Sequence, residues 1–411
     1  MGLVVFPLLP SVGALMILTS TIKTTRQAGR EMIQQRLNWG FAGLGVWMII
    51  VSLFGIQPGD AILALGNIVP YFWIFAAHST LIRSPEQLRQ LAWIFMIPVL
   101  PITVLGLIQM LGIGASLMIP GTLITIWDVA PGGIPLGRMS SVFFHANVLA
   151  AYLQMVFIFA LGLLADSYES CKQNQGRIWK SPAFIWLLVC LLPSLVCLIL
   201  TSSRTAWSGV LLSSLIFTVY QGWYWILGIV SAIATIILSA AYAPLPLREP
   251  LRFIVPRYFW ARITDEMYPN RPQAITRVAQ WQFSGKMIQA RPMTGWGLQS
   301  FSQLYQAETQ FWLPYPHNLL LMLSFSLGIP ATIALTGLVG WIITQSTLLF
   351  LNFPIQWRSE RTIFFTYLVA FAGFMVSNIA DVTALELRLN TLAWLLLSCI
   401  CGLVMQSRSN K

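Results

Sequence analysis

Four residues between positions 204 and 318 have side chains suited to transferring a group away from a phosphate: Arg204, Arg277, His317 and Asn318. A guanidinium pairs with phosphate oxygens in a bidentate fork and keeps its charge at any physiological pH. Arg204 stands in Thr201-Ser202-Ser203-Arg204-Thr205-Ala206-Trp207, among small hydroxyl residues. The same position also suits an arginine snorkelling from a membrane border. Arg277 sits four residues before Trp281, hence on one helical face with it, and its neighbours Arg271 and Lys286 offer similar charge. His317 is one of three histidines; His78 and His145 also lie near the ends of apolar runs. An imidazole titrates near neutral pH, which suits a general base, and Asn318 beside it offers an amide. A diphosphate is a good leaving group that needs charge stabilisation more than protonation. Two arginines supply that charge, and one base activates an acceptor hydroxyl.

The surrounding sequence places these residues at a membrane. Of 411 residues, 57% are hydrophobic and 9% charged, against about 25% charged in soluble domains. Apolar runs long enough to cross the hydrocarbon core as helices fall near 3–20, 38–56, 61–79, 91–112, 147–165, 182–201, 206–220, 222–243, 328–352, 362–380 and 390–406. A short apolar stretch, Leu319 to Leu327, leads into the ninth. Backbone groups in lipid must be paired within the segment, so the expected fold is an all-α polytopic membrane protein of about eleven transmembrane helices. Trp39, Trp223 and Trp225 border such runs, as amphipathic rings do at the lipid–water boundary.

Basic residues set an expected orientation. Lys23, Arg26, Arg30 and Arg36 separate the first two spans, Arg83 and Arg89 follow the third, and Lys172, Arg177 and Lys180 follow the fifth. Arg358 and Arg361 follow the ninth, and Arg408 and Lys411 end the chain. All fall on one side, which the positive-inside rule makes cytoplasmic, with the N-terminus outside and the C-terminus inside. The odd count leaves open a miscounted span or a further helix ahead of the first. The first apolar run lacks a basic n-region, so no cleavable signal peptide is expected.

The chain reads as one membrane domain, 1–411, with an extracytoplasmic loop at 244–316 that holds eight of the 24 Lys and Arg residues. Within the loop, Ile275, Val278, Trp281, Gly285 and Ile288 recur at helical steps, so Pro272 to Ala290 is expected to form an amphipathic helix on the membrane surface. The acids Asp265, Glu266, Asp381 and Glu386 face the same side and read as solvated loop charges. None has His or Cys at ligand spacing, so no metal is expected. Cys190, Cys197, Cys399 and Cys401 lie in apolar runs, and with Cys171 they suggest no disulfide framework. Gly295-Trp296-Gly297 follows no strand and does not point to a dinucleotide fold.

Taken in order, four motifs resemble the O-antigen ligase and O-antigen polymerase superfamily of bacterial membrane glycosyltransferases. They are Leu200 to Gly209 around Arg204, Arg277 with Trp281, Arg291-Pro292-Met293-Thr294-Gly295-Trp296-Gly297, and His317-Asn318. Asn147-Val148-Leu149-Ala150-Ala151-Tyr152-Leu153 is similar to the family's asparagine-led helix start. The likeness covers about 140–411. It implies metal-independent transfer of a glycan from a polyprenyl diphosphate to an acceptor hydroxyl on a lipid or glycan, at the periplasmic face of the inner membrane. It also implies that Arg204 and Arg277 bind the diphosphate, with Asn318 beside them, and that His317 is the base. Neither cofactor nor nucleic acid is implied. Phe144-His145-Ala146-Asn147 stands where relatives often carry Gly-Asn-Pro-Asn, and Phe325-Ser326 where they often carry a glutamate. A competing class is a membrane transporter of a small anion such as bicarbonate, gathered by the basic loop. The near absence of ionisable residues inside the spans favours the enzyme.

Overall fold

The computed structural model describes residues 2–118, 125–173, 181–264, 266, 267, 270 and 272–409. Arg177, Lys180, Asp265, Arg271 and Lys411 lie outside the described residues. Helix α1 (Gly2–Val5) leads into α2 (Pro10–Gln34), α3 (Arg36–Ser52), α4 (Pro58–Ala64), α5 (Val69–Ser79), α6 (Pro85–Met96) and α7 (Val99–Met110). An antiparallel hairpin follows, β1 (Ala115–Met118) paired with β2 (Thr125–Val129). Next come α8 (Ala146–Gln173), α9 (Pro182–Leu200), α10 (Arg204–Gln221) and α11 (Tyr224–Tyr242). Four shorter helices fill the polar region: α12 (Leu245–Ile254), α13 (Arg257–Ile263), α14 (Arg277–Ala290) and α15 (Ser300–Thr309). The chain closes with α16 (Leu319–Leu351), α17 (Arg361–Ser377) and α18 (Leu387–Ser409).

The molecule is an all-α polytopic membrane protein. Every apolar run of the sequence falls on a helix, and among the described residues seven helical stretches are long and apolar enough to cross a membrane. The runs near 3–20, 38–56, 206–220 and 362–380 are helices too, but shorter or more polar than those seven. The pivot is α8, whose apolar residues are buried almost throughout and which packs against α9, α10 and α17. Small residues let these helices approach. A Cβ on Gly162 would stand 1.9 Å from Thr366 Oγ1, and one on Gly209 would run into the Gln154 amide. The Ser377 hydroxyl donates to Gln154 Oε1 at 2.8 Å, a polar link where membrane helices have little hydrophobic drive to associate.

At the end of α8 remote from His317, Arg89 forks onto Asp166 at 2.9 and 3.0 Å and reaches Glu360 at 3.2 Å. One guanidinium thereby joins α6, α8 and the turn ahead of α17. Removing one partner from so buried a set costs roughly 3–5 kcal/mol. Arg89 and the turn that carries Arg358 thus meet at one end of the bundle. The surface pair Arg83–Glu31, at 3.3 Å and more than half exposed, adds little.

Three expectations need correction. The basic segment after the first apolar run is not a loop: Lys23, Arg26 and Arg30 continue α2 to Gln34 through a kink at Ala28, and Arg36 opens α3. Lysine and arginine are good helix formers, so nothing ends the helix where charge begins. The helix expected over 272–290 starts at Arg277, after the Thr276 cap. It buries Gln280, Phe283 and Ser284 together and packs on α16 instead of presenting an apolar stripe to the membrane. The region 244–316 is folded, with Phe283, Phe301, Tyr305, Met322, Phe325 and Val382 making a small core of their own.

The last 33-residue helix is two pieces. Gly328 has φ +82° and ψ 166°, so a half-helix, 319–327, abuts a longer one. The loop Arg291–Leu298 fills the break. Its Trp296 and Gly297 amides donate to the carbonyls of Phe325 and Ser326 at 2.8 and 3.0 Å, and Ile329 N donates to Pro292 O at 2.8 Å. Gly295 and Gly297, at φ +67° and +95°, allow that approach: a Cβ on Gly295 would lie 2.6 Å from the Ser326 carbonyl carbon. The Gly-Trp-Gly run is thus a cap for a broken helix.

Candidate active site

His317 is held in the left-handed region at φ +48°, immediately before the half-helix. A side chain costs roughly 1–3 kcal/mol to keep in such sparsely populated backbone, so its surroundings must enforce it. The Trp281 indole donates to the Pro316 carbonyl at 3.0 Å, and Asn318 caps the half-helix by accepting from Leu321 N at 3.0 Å. The Leu319 amide donates to Asn378 O at 2.9 Å, tying the histidine turn to the end of α17. Tyr315 stands edge-on to the imidazole, centroids 5.0 Å apart, its hydroxyl pushed up by burial and by Asp381 and Glu386.

The partner of His317 is Asp381. Its Oδ1 lies 3.2 Å from His317 Nδ1 and accepts from its own neighbour's amide, Val382 N, at 2.9 Å; its Oδ2 accepts from Asn147 Nδ2 at 2.9 Å. The expectation that Asp381 is a solvated loop charge is therefore wrong: the side chain is 3% exposed, against 25% for His317. Burial would raise its pKa, but the bond to His317, the Val382 amide and the charge of Arg277 hold it below the ordinary 3.8. An ionised carboxylate at Nδ1 fixes the neutral ring as the Nδ1–H tautomer, which turns the Nε2 lone pair outward as an acceptor for a proton. Glu386 is also no free loop charge. It accepts from the amides of Arg388 and Leu389 at the start of α18, and burial raises its pKa. Of the four acids read as solvated loop charges, Glu266 fits that reading, exposed and paired with Arg252 at 2.7 Å.

Beyond Asp381 the network continues to the Arg204 turn. Arg138 donates from Nη2 to Asn147 Oδ1 and from Nε to the Thr201 carbonyl at 2.8 Å. His145 accepts the Asn147 amide on Nδ1 at 3.1 Å; burial and Arg138 lower its pKa, so it stays neutral. Arg204 opens α10, and its Nη1 donates to the carbonyls of Arg262 and Ile263 at 3.1 and 3.5 Å. Arg262 returns two bonds to Ser202 O, at 3.2 and 3.0 Å, and holds Ser202 at φ +54°. Arg277 is the first residue of α14, half-buried, and its charge reaches Asp381. The structure so brings Arg277 and His317 together across Asp381, with Arg204 on the turn that Arg138 connects to them. Asn318 joins them as a helix cap.

Helices α8, α10, α14, α16 and α18 all begin in this network, and N-termini carry partial positive charge that favours an anion. Beside it, between α16, α17 and α18, lies an apolar cavity of about 510 Å³ lined by Leu320, Leu323, Val339, Met375, Trp394 and neighbours.

Residues 187–336 match the O-antigen ligase family. That match, over about a third of the chain, supports the likeness to the O-antigen ligase and polymerase superfamily, and no curated protein matches the chain. The ligase domain contains Arg204, Arg277, His317 and Asn318, but Arg138, His145, Asn147 and Asp381 lie outside it. The chain on both sides of the ligase domain thus supplies the groups that hold its histidine. Asp381 is 64 residues from His317, and no periodicity spans that gap. Its signal in the sequence was one acid, between Ala380 and Val382, at the end of an apolar run.

In the matched segment, Trp281 reaches the His317 turn through the Pro316 carbonyl. Trp281→Phe is expected to retain folding and donor KM while kcat falls several-fold, since one hydrogen bond is worth about 1 kcal/mol. Steady-state kinetics on the purified variant checks this; a change in KM alone contradicts the positioning role.

Proposed function

We propose that the protein transfers a glycan from a polyprenyl diphosphate to an acceptor hydroxyl at the periplasmic face of the inner membrane, without a metal. The family match supports glycosyl transfer in cell-envelope polysaccharide synthesis. The observation that carries the finer reading is the His317–Asp381 pair among helix N-termini and arginines, flanked by an apolar cavity. His317 Nε2 takes the proton of the acceptor hydroxyl as its oxygen attacks the anomeric carbon. The bond from that carbon to the diphosphate oxygen breaks, and the leaving diphosphate departs as an anion. Asp381 stabilises the imidazolium that forms, and Arg277 and Arg204 stabilise the charge developing on the diphosphate. The apolar cavity gives the first part of the lipid tail a place beside the reacting centre. Residues 244–316 serve as the periplasmic part of a single membrane domain.

The test is transfer in proteoliposomes with a polyprenyl-diphosphate-linked glycan. Arg204→Ala is expected to raise the donor KM by roughly tenfold or more, the worth of one charge-assisted contact. Transfer with unchanged KM removes Arg204 from the donor site. Anion uptake by the wild-type protein without glycan transfer returns the reading to a transporter.

A further inference from the structure

Helix α12 separates its residues by face. Pro246, Leu247, Pro250, Phe253 and Ile254 share one side by helical spacing, and all are exposed, Phe253 at 94% and Ile254 at 72%. The other side is occupied. Leu251 packs in a small core with Ala240, Ala241, Trp260 and Ala261. Arg252 lies over the Trp260 ring at 3.8 Å and donates to the Ala240 carbonyl at 3.0 Å. That last bond fixes the depth. Ala240 is in the last turn of α11, a candidate membrane span whose exposed residues are mostly apolar, including Ile229, Ile233, Ile236 and Leu238. The exposed face of α12 therefore sits level with the end of a lipid-facing helix and continues its apolar surface.

We propose that α12 is an interfacial helix, with Phe253 and Ile254 inserted in the bilayer surface, and that this seat holds the Arg204 turn in place. The occupant is the lipid surface, because the apolar face begins where a spanning helix ends and its polar flank faces protein and water. The coupling runs through α13. Tyr258 donates to Ile199 O at 2.7 Å, Arg262 binds Ser202 O, and Arg204 binds Arg262 O. Helices α11 to α13 so form a unit with its own core, seated on lipid on one side and bonded to residues 199–204 on the other. The functional half of this inference rests on Arg204 binding the donor; the membrane seat does not.

Spin labels at Phe253→Cys and Ile254→Cys, in a Cys171→Ser background reconstituted in phosphatidylcholine–phosphatidylglycerol vesicles, test the seat. Both labels are expected to relax more with oxygen than with a water-soluble nickel chelate, and a label at Ala307→Cys in α15 to do the reverse. Nickel access at 253 and 254 equal to that at 307 overturns the seat. For the coupling, the Phe253→Glu, Ile254→Glu double variant is expected to raise donor KM at least fivefold, and its combination with Arg204→Ala to give a KM no higher than Arg204→Ala alone. Unchanged KM, or additive effects, overturns the coupling. If the wild type transfers no glycan, the proposed reaction fails while the label readout still decides the seat.

Discussion

His317→Ala is expected to lower glycan transfer by about 10²–10⁴-fold, the usual worth of a general base, with insertion and expression preserved. The cost falls on kcat, because the imidazole receives its proton as the acceptor oxygen attacks. Full activity in the variant removes His317 from the reaction. Asp381→Asn separates holding the ring from accepting the proton. It keeps the shape of the side chain but removes the charge that sets the tautomer, so kcat is expected to fall while donor KM stays. Asp381 titrates below its ordinary 3.8 in the folded protein. Its contribution to stability is therefore present above that value and lost as pH falls through the lower folded one. An Asp381→Asn variant with wild-type kcat contradicts the pair.

Gly328→Ala is expected to destabilise the protein by roughly 3–5 kcal/mol, the range of severe backbone and packing lesions. The new Cβ would stand 2.3 Å from the Met293 carbonyl oxygen, in backbone at φ +82°. Either the Arg291–Leu298 loop must leave the break, or the half-helix must turn. Gly337→Ala is the control: it lies in the same helix with open space around it and should be neutral or slightly stabilising. Thermal unfolding in detergent compares the two, and equal midpoints contradict the account of the break.

The sequence carried some of this plainly. Apolar runs mark where helices fall because lipid allows little else, and His317 stands out as a histidine at the lip of such a run. Asn318 was read only as an amide beside His317, whereas in the structure it caps the half-helix, as an asparagine just before an apolar helix can. Asp381 was misread because burial and pairing are tertiary facts, set where α17 and α18 meet the His317 turn. The core around Phe283, Phe301 and Tyr305 escaped notice for a related reason. It draws single residues from several short elements, so no one segment shows a period. The surface-helix pattern was sought at 272–290, whereas the exposed apolar face lies on 245–254, where two prolines interrupt its reading.

The break at Gly328 also makes 319–327 a strut of fixed length. At 1.5 Å per residue its nine residues span about 14 Å, and the remaining 23 reach roughly 35 Å, enough to cross the hydrocarbon core alone. One end of the strut is clamped by amides of the Arg291–Leu298 loop, and the other carries the imidazole. One residue added between them would lift His317 about 1.5 Å and swing it about 100° around the axis, away from Asp381, with the apolar composition untouched. Length along this segment is thus as much a part of the site as the identity of its residues.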